Sequence, residues 1–260
     1  MYDMGTRKRA LALVAQGRSL NSVSKETGVS RAALRAWQTR IEPLPRMQPQ
    51  ATPCVRCGPE PELPTDTTAY SYLLGLYLGD GCISAGARSG YFLRIACADA
   101  YPGLIELCAT AMRSINPSGR CARVQAVGYT SVVGYSRHWP CLFPQHGPGK
   151  KHERAIELEP WQQEIVDAHP WEFVRGLVHS DGCRITNWTT RVVGGERKRY
   201  EYPRYFFTNT SADIIRLYTE TLDQLGIEWK TLNQSRAAVT ISVARKGSVV
   251  FMEAHIGPKY

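Results

Sequence analysis

One stretch of this chain occurs twice, and that constrains the fold more than any other feature. Tyr72-Leu73-Leu74-Gly75-Leu76-Tyr77-Leu78-Gly79-Asp80-Gly81-Cys82 is echoed by Phe173-Val174-Arg175-Gly176-Leu177-Val178-His179-Ser180-Asp181-Gly182-Cys183. Downstream, Arg94-Ile95-Ala96-Cys97 matches Arg204-Tyr205-Phe206-Phe207, at an offset of 110. Leu104, Ile105 and Leu107 match Ile214, Ile215 and Leu217, and Gly147-Pro148-Gly149-Lys150 matches Gly257-Pro258-Lys259. A longer hairpin around Gly194-Gly195 accounts for the growth in offset. Self-similarity over this length means one folding unit used twice, over residues 69–160 and 161–260.

Each copy has the same order of patterns. An apolar helix ends at Asp-Gly. Two strands follow, joined at Ser89-Gly90 and at Gly194-Gly195, both hairpin-turn dipeptides. Amphipathic helices follow over 101–115 and 211–225, then two more strands near 120–136 and 228–245, then a closing helical segment. The alternation in the last strand is clean: Val239, Ile241 and Val243 point one way, Thr240 and Ser242 the other. The expected fold class is α+β, with two αββαββα repeats.

Residues 1–42 differ from the rest. They hold eight Lys/Arg against three acids. Three short helical patterns are separated by Gly17 and Gly28, with Ser19 and Ser30 as caps. Helix, short turn, helix resembles the helix-turn-helix of transposases and resolvases. The third helix carries Arg31, Arg35 and Gln38 outward, side chains suited to phosphates and base edges. Residues 43–68 contain seven prolines and few apolar residues, the composition of an extended linker. Within it, Cys54-Val-Arg-Cys57 is half of a zinc knuckle. No second Cys-x-x-Cys exists, so Zn²⁺ would need other ligands, with Cys82, Cys121, Cys141, Cys183 and the six histidines as candidates.

The whole chain has 32 Lys/Arg against 23 Asp/Glu, a formal charge of +9. That excess points to nucleic acid. No run approaches the ~18 apolar residues of a membrane span. Eight cysteines without a dense framework read as reduced thiols of a cytoplasmic protein.

The spacing of the repeated helices carries chemistry. Gly75 and Gly79 lie on one helix face, as do Gly176 and Ser180, so two such helices can pack closely. If they run parallel, Asp80 and Asp181 become neighbours at the C-terminal ends. Two carboxylates there oppose each other and the helix dipoles unless a divalent cation sits between them, and hard oxygen ligands suit Mg²⁺.

The paired helices resemble the motif of the LAGLIDADG homing endonucleases, with both terminal acids present and Leu78 and His179 at the motif's middle acid position. The resemblance covers about residues 69–260. It implies a saddle of antiparallel sheets with internal pseudo-two-fold symmetry, working as a monomer on double-stranded DNA. It implies a free-standing, site-specific, Mg²⁺- or Mn²⁺-dependent endonuclease. Asp80 and Asp181 would be catalytic and metal-binding, with Gly79 and Ser180 beside them in the metal site. Lys150 and Lys259 would stabilise the transition state, with Lys151 and Lys246 as rivals. Strand-borne Arg88, Arg94, Arg123 and Gln125 in the first copy would contact DNA, with Arg191, Arg197, Lys198, Arg199 and Lys230 in the second. The resemblance also leaves open a transcription regulator that binds DNA on this scaffold without cutting it, and an RNA maturase. The intact acid pair favours the nuclease.

Overall fold

A computed structural model describes residues 4–39, 41, 54, 57, 62–86, 89–232, 238–257 and 259–260. The chain divides into two compact units, Met1–Thr52 and Pro53–Tyr260. Among the described residues, no helix is long and apolar enough to cross a membrane.

The first unit has three helices, α1 (Met4–Ala15), α2 (Leu20–Thr27) and α3 (Arg31–Thr39). Ser19 caps α2, its Oγ accepting from the Ser22 N–H at 3.2 Å. Gly28 ends α2 at φ 70°, a left-handed conformation that glycine adopts without steric cost. Ser30 Oγ accepts from the Ala33 N–H at 3.2 Å and opens α3. Ala10, Val23, Val29, Leu34 and Trp37 form a small core.

The second unit opens on α4 (Thr67–Asp80), capped by Asp66, whose Oδ1 accepts from the Ala69 N–H at 2.9 Å. Then come β1 (Gly81–Ala85), β2 (Tyr91–Ala98), α5 (Pro102–Ile115), β3 (Cys121–Ala126), β4 (Tyr129–Ser136) and the short α6 (Trp139–Leu142). After α7 (Pro160–Ala168), the second copy runs α8 (Pro170–Asp181), β5 (Gly182–Val193), β6 (Glu196–Asn209), α9 (Ala212–Gln224), β7 (Lys230–Leu232), β8 (Val239–Val243) and α10 (Lys246–His255). The two antiparallel sheets have the same strand order, β1-β2-β4-β3 and β5-β6-β8-β7. This is the expected α+β architecture. Helix α7 is an addition that the repeat does not contain. It buries Gln162, whose amide donates to the Tyr70 hydroxyl at 2.6 Å.

One apolar core joins both copies. Leu93, Ile95 and Val132 enter it from the first sheet, and Tyr205, Phe207 and Ile241 from the second. Helix α4 is buried at every position from Tyr70 to Leu78, because sheet, α5 and α8 surround it. Its closest neighbour is α8. A Cβ added to Gly176 would lie 2.2 Å from the Tyr72 carbonyl oxygen, and one on Gly75 would lie 2.5 Å from that of Phe173. The backbones touch, which no larger residue allows.

The strand register corrects the repeat alignment. Gly81 faces Ile95 and Gly182 faces Phe207, so β2 and β6 correspond at an offset of 112, not 110. The equivalent of Cys97 is therefore Asn209.

Gly176→Ala should cost about 1–3 kcal/mol or more, because backbone atoms on both helices would have to separate. Gly247→Ala is the control: it lies in α10 with nothing within 4 Å of its added Cβ, and should be neutral or stabilising by up to about 1 kcal/mol. Chemical denaturation reads both. Equal midpoints for Gly176→Ala and wild type would contradict the close helix contact.

Candidate active site

Helices α4 and α8 run parallel and in step. Gly75 lies against Gly176, and one turn later Gly79 lies against Ser180, whose Oγ would be 2.0 Å from a Cβ on Gly79. That step brings the two C-terminal ends together. Asp181 Oδ2 lies only 3.1 Å from the position of a Gly79 Cβ. Gly81 and Gly182 end the helices in extended backbone, not the left-handed form. Glycine is needed there for space, since a Cβ would approach Tyr77 Cα at 2.5 Å and Val178 Cα at 2.7 Å.

The acids oppose ionisation. Burial pushes the Asp80 carboxyl up to about 6, with Asp181 adding repulsion and Lys151 and Lys259 pulling the other way. Burial also raises Asp181, against an Asn209 hydrogen bond and the same two lysines. The bond runs from Asn209 Nδ2 to Asp181 Oδ2 at 2.7 Å. Asp80 has Cys97 at the equivalent position, which offers no such amide donor. The two carboxylates therefore differ in that only Asp181 accepts an amide hydrogen bond from this position. Asn209 was not among the residues singled out from sequence, because the alignment was two residues out of register there.

A lysine from each copy reaches the motif helix of its own repeat. Lys259 Nζ donates to the carbonyls of Ser180 at 3.1 Å and Gly182 at 2.6 Å. Lys151 Nζ donates to Gly79 O at 2.7 Å and also to Tyr77 O. Lys151, not Lys150, is thus the counterpart of Lys259. Lys150 is 72% exposed and pairs with Glu153 at 3.7 Å. Two residues, Gly149 at φ 80° and Lys150, stand between Pro148 and Lys151, whereas Lys259 follows Pro258 directly. Burial lowers Lys151 to about 8, with Asp181 and Asp80 opposing that fall. Burial likewise lowers Lys259. Lys246 is at the start of α10.

A cleft of about 460 Å³ opens beside the acids, lined by Gly79, Lys150, Lys151, Asp181 and Asn209. A second, of about 210 Å³, contains Lys259, His179 and Tyr101. The donors at the helix ends, two carboxylates and the Gly79 and Ser180 carbonyls, are all hard oxygen, which fits Mg²⁺ or Mn²⁺. Two carboxylates held where both resist ionisation are what a divalent cation would relieve. His179, at the motif's middle acid position, points away into the core. It is 4% exposed, meets the Tyr72 hydroxyl at 2.9 Å, and is held down to about 4, first by burial. It stays neutral near pH 7.

Strand alternation sorts the basic residues. In the first sheet, Arg94 lies on the face away from the helices, beside Ser84 and over the Phe92 ring. Arg123 and Gln125 are exposed at the sheet edge on the helix-covered face. Arg123 is held by both oxygens of Glu106 on α5, at 2.7 and 2.5 Å. Register thus places these two on the face opposite Arg94. In the second, Arg191, Lys198 and Lys230 share the open face with Arg204, which sequence reasoning had not selected. Arg197 and Arg199 fall on the opposite face of the hairpin, where Arg199 stacks 5.0 Å from Trp188 and pairs with Glu201. Arg88 lies outside the described residues. In the three-helix unit, Arg31, Arg35 and Gln38 are exposed on α3, opposite buried Leu34 and Trp37. Cys54 and Cys57 lie far along the chain from a third site, beside His138 and Cys141.

The repeat, its strand order and the glycine-packed, Asp-ended helix pair make this a LAGLIDADG-like fold. Solved structures of similar architecture include the homing endonuclease I-DmoI in complex with DNA and Mn, at 14% identity and TM-score 0.49, covering 75% of this chain and 99% of that one. The LAGLIDADG meganuclease I-AabMI bound to uncleaved DNA matches at 11% identity and TM-score 0.46, over 72% and 82%. The N-terminal LAGLIDADG domain of DUF199/WhiA matches at 12% and 0.45, over 74% and 84%. No family profile matches the chain, and no curated protein does.

The raised Asp80 predicts a pH-dependent effect. Folding disfavours its ionised form, so the penalty is absent below the ordinary value of 3.8, grows up to about 6, and is complete above it. Asp80→Asn should therefore raise the melting temperature of the metal-free chain slightly at pH 7.5, the gain being reduced by the solvent that reaches this side chain. The gain should shrink below pH 6 and vanish near pH 4. A gain independent of pH would count against the crowded carboxylate pair.

Proposed function

We propose that the chain is a site-specific double-strand DNA endonuclease that uses Mg²⁺ or Mn²⁺. The observation that supports this reading best is the pair Asp80 and Asp181, brought level at the ends of two touching parallel helices with a half-buried lysine beside each. A bound divalent cation supplies Lewis-acid polarisation of the phosphodiester and lowers the pKa of attacking water. Asp80 and Asp181 hold it, with the Gly79 and Ser180 carbonyls close by. Asn209 orients Asp181 and keeps its acceptor oxygen turned toward the cleft. Lys151 and Lys259 stabilise negative charge developing on the phosphate. They also neutralise helix C-terminal carbonyls that would otherwise repel the substrate. One lysine and one acid per repeat give equivalent chemistry on each DNA strand, so one chain suffices as a monomer.

Binding draws on separate parts. Arg191, Lys198, Arg204 and Lys230 form a basic strip on the open face of the second sheet, with Arg94 on the first. They suit phosphates and major-groove base edges. Arg31, Arg35 and Gln38 on α3 fit a helix-turn-helix that adds contacts to flanking duplex. Such a protein acts in the cytoplasm on DNA, where its thiols stay reduced.

Cleaved sites can be selected from a random DNA library in Mg²⁺. On the recovered site, Asp80→Asn and Asp181→Asn should each lower cleavage at least about 10³-fold while binding in Ca²⁺ persists. Lys151→Met should cost about 10²–10³-fold. Lys150→Met should cost far less, since its ammonium faces solvent and Glu153. Metal affinity should weaken as the pH falls, because Asp80 must give up its proton to hold the cation. Tight binding without cleavage in Mg²⁺ or Mn²⁺ would instead favour the non-cutting regulator.

A further inference from the structure

We infer that Cys54, Cys57, His138 and Cys141 form a structural zinc site that fastens the chain before α4 to the first repeat. The four donor atoms lie within 4.8 Å of one another. His138 Nδ1 is 3.0 Å from Cys57 Sγ and 3.5 Å from Cys54 Sγ. Bond lengths of ~2.3 Å to sulfur and ~2.0 Å to nitrogen, at tetrahedral angles, set ligand separations of about 3.5 Å. The donors therefore already sit at the spacing that coordination requires.

The histidine is prepared for this role. Its Nε2 lies 2.8 Å from the Glu62 carbonyl oxygen, which can only accept. The proton is therefore on Nε2, and the Nδ1 lone pair points at the thiols. Metal-bound histidines are held by this kind of outer hydrogen bond. His138 is also 5% exposed, so its ring is not free to turn away.

Each arm closes a turn that brings its two donors to one side. The Cys57 N–H donates to Cys54 O at 3.2 Å, and the Cys141 N–H to His138 O at 3.0 Å. The second arm is anchored by packing. Trp139 is fully buried and donates from Nε1 to Gly134 O at 3.0 Å, while Leu142 and Phe143 enter the core. A rigid His-x-x-Cys turn thus faces a Cys-x-x-Cys knuckle that starts 84 residues before the histidine. Three soft thiolates and one imidazole select zinc over Mg²⁺ or Ca²⁺. Binding releases the three thiol protons, giving a site of net charge −1. It closes the chain between Cys57 and His138 into a loop, which restricts the unfolded ensemble as a cross-link does. The site is remote in role from the acid pair and depends on none of its chemistry.

The test uses the full chain purified with zinc. Elemental analysis should give one zinc per chain, and Co²⁺ substitution should give the visible bands of tetrahedral cobalt with thiolate charge transfer. Alkylation should spare Cys54, Cys57 and Cys141 until a chelator is added, while exposed Cys82 and Cys183 react at once. Cys54→Ser and Cys141→Ser should lose the zinc, and Cys121→Ser should keep it. If the ligand variants do not fold, the cobalt spectrum and the alkylation pattern of the wild type decide. Zinc well below one per chain after reconstitution, cobalt bands without thiolate charge transfer, or a disulfide among the three cysteines would overturn the site.

Discussion

The contact between α4 and α8 sets the geometry of everything around the acids. Helix α4 is apolar on all sides, so it is stable only where every side is covered. The sheet and α5 cover part of it. The remaining side needs a partner that approaches to backbone distance, because Gly75 offers no side chain to fill a gap. Gly176 supplies that partner with the same lack of bulk. Both glycines stand five residues before their aspartates, so matching them brings Asp80 and Asp181 level. The position of the acids follows from packing, not from any attraction between them.

Their electrostatics oppose that packing. Two carboxylates meet at the negative ends of two helices, and both resist ionisation. Lys151 and Lys259 offset part of the cost and are themselves buried enough to have lowered affinity for their protons. The halves are not equivalent. Asn209 donates to Asp181, while Cys97 occupies the matching place near Asp80. A strained arrangement kept in place by a core is the condition under which a metal-binding, reactive site persists.

A second kind of order comes from the pleat. Successive residues of a strand point to opposite faces, so adjacent basic residues part company. Arg197, Lys198 and Arg199 are consecutive, yet only Lys198 shares a face with Arg191 and Lys230. Arg123 looks like a reader of the groove from its strand alone. Register with β4 turns it to the helix side, where Glu106 claims it.

The sequence by itself determined the repeat, the α+β element order, the three N-terminal helices with their Ser19 and Ser30 caps, and the two Asp-Gly ends. These are local or periodic signals, and the same motif at both positions made them legible. Tertiary structure decided what depends on register and on distant chain segments. Two extra residues, Gly149 and Lys150, bring Lys151 instead of Lys150 against the Tyr77 and Gly79 carbonyls. A two-residue shift in β6 concealed Asn209. Four cysteines and six histidines are all candidates to complete the Cys54–Cys57 knuckle by sequence, and packing brings only His138 and Cys141 of them to it among the described residues. Only the turn after β4, pinned by Trp139, carries that pair to the first. Local pattern records what a segment can become, whereas the convergence of donors, acids and lysines is fixed by packing between segments that share no local pattern.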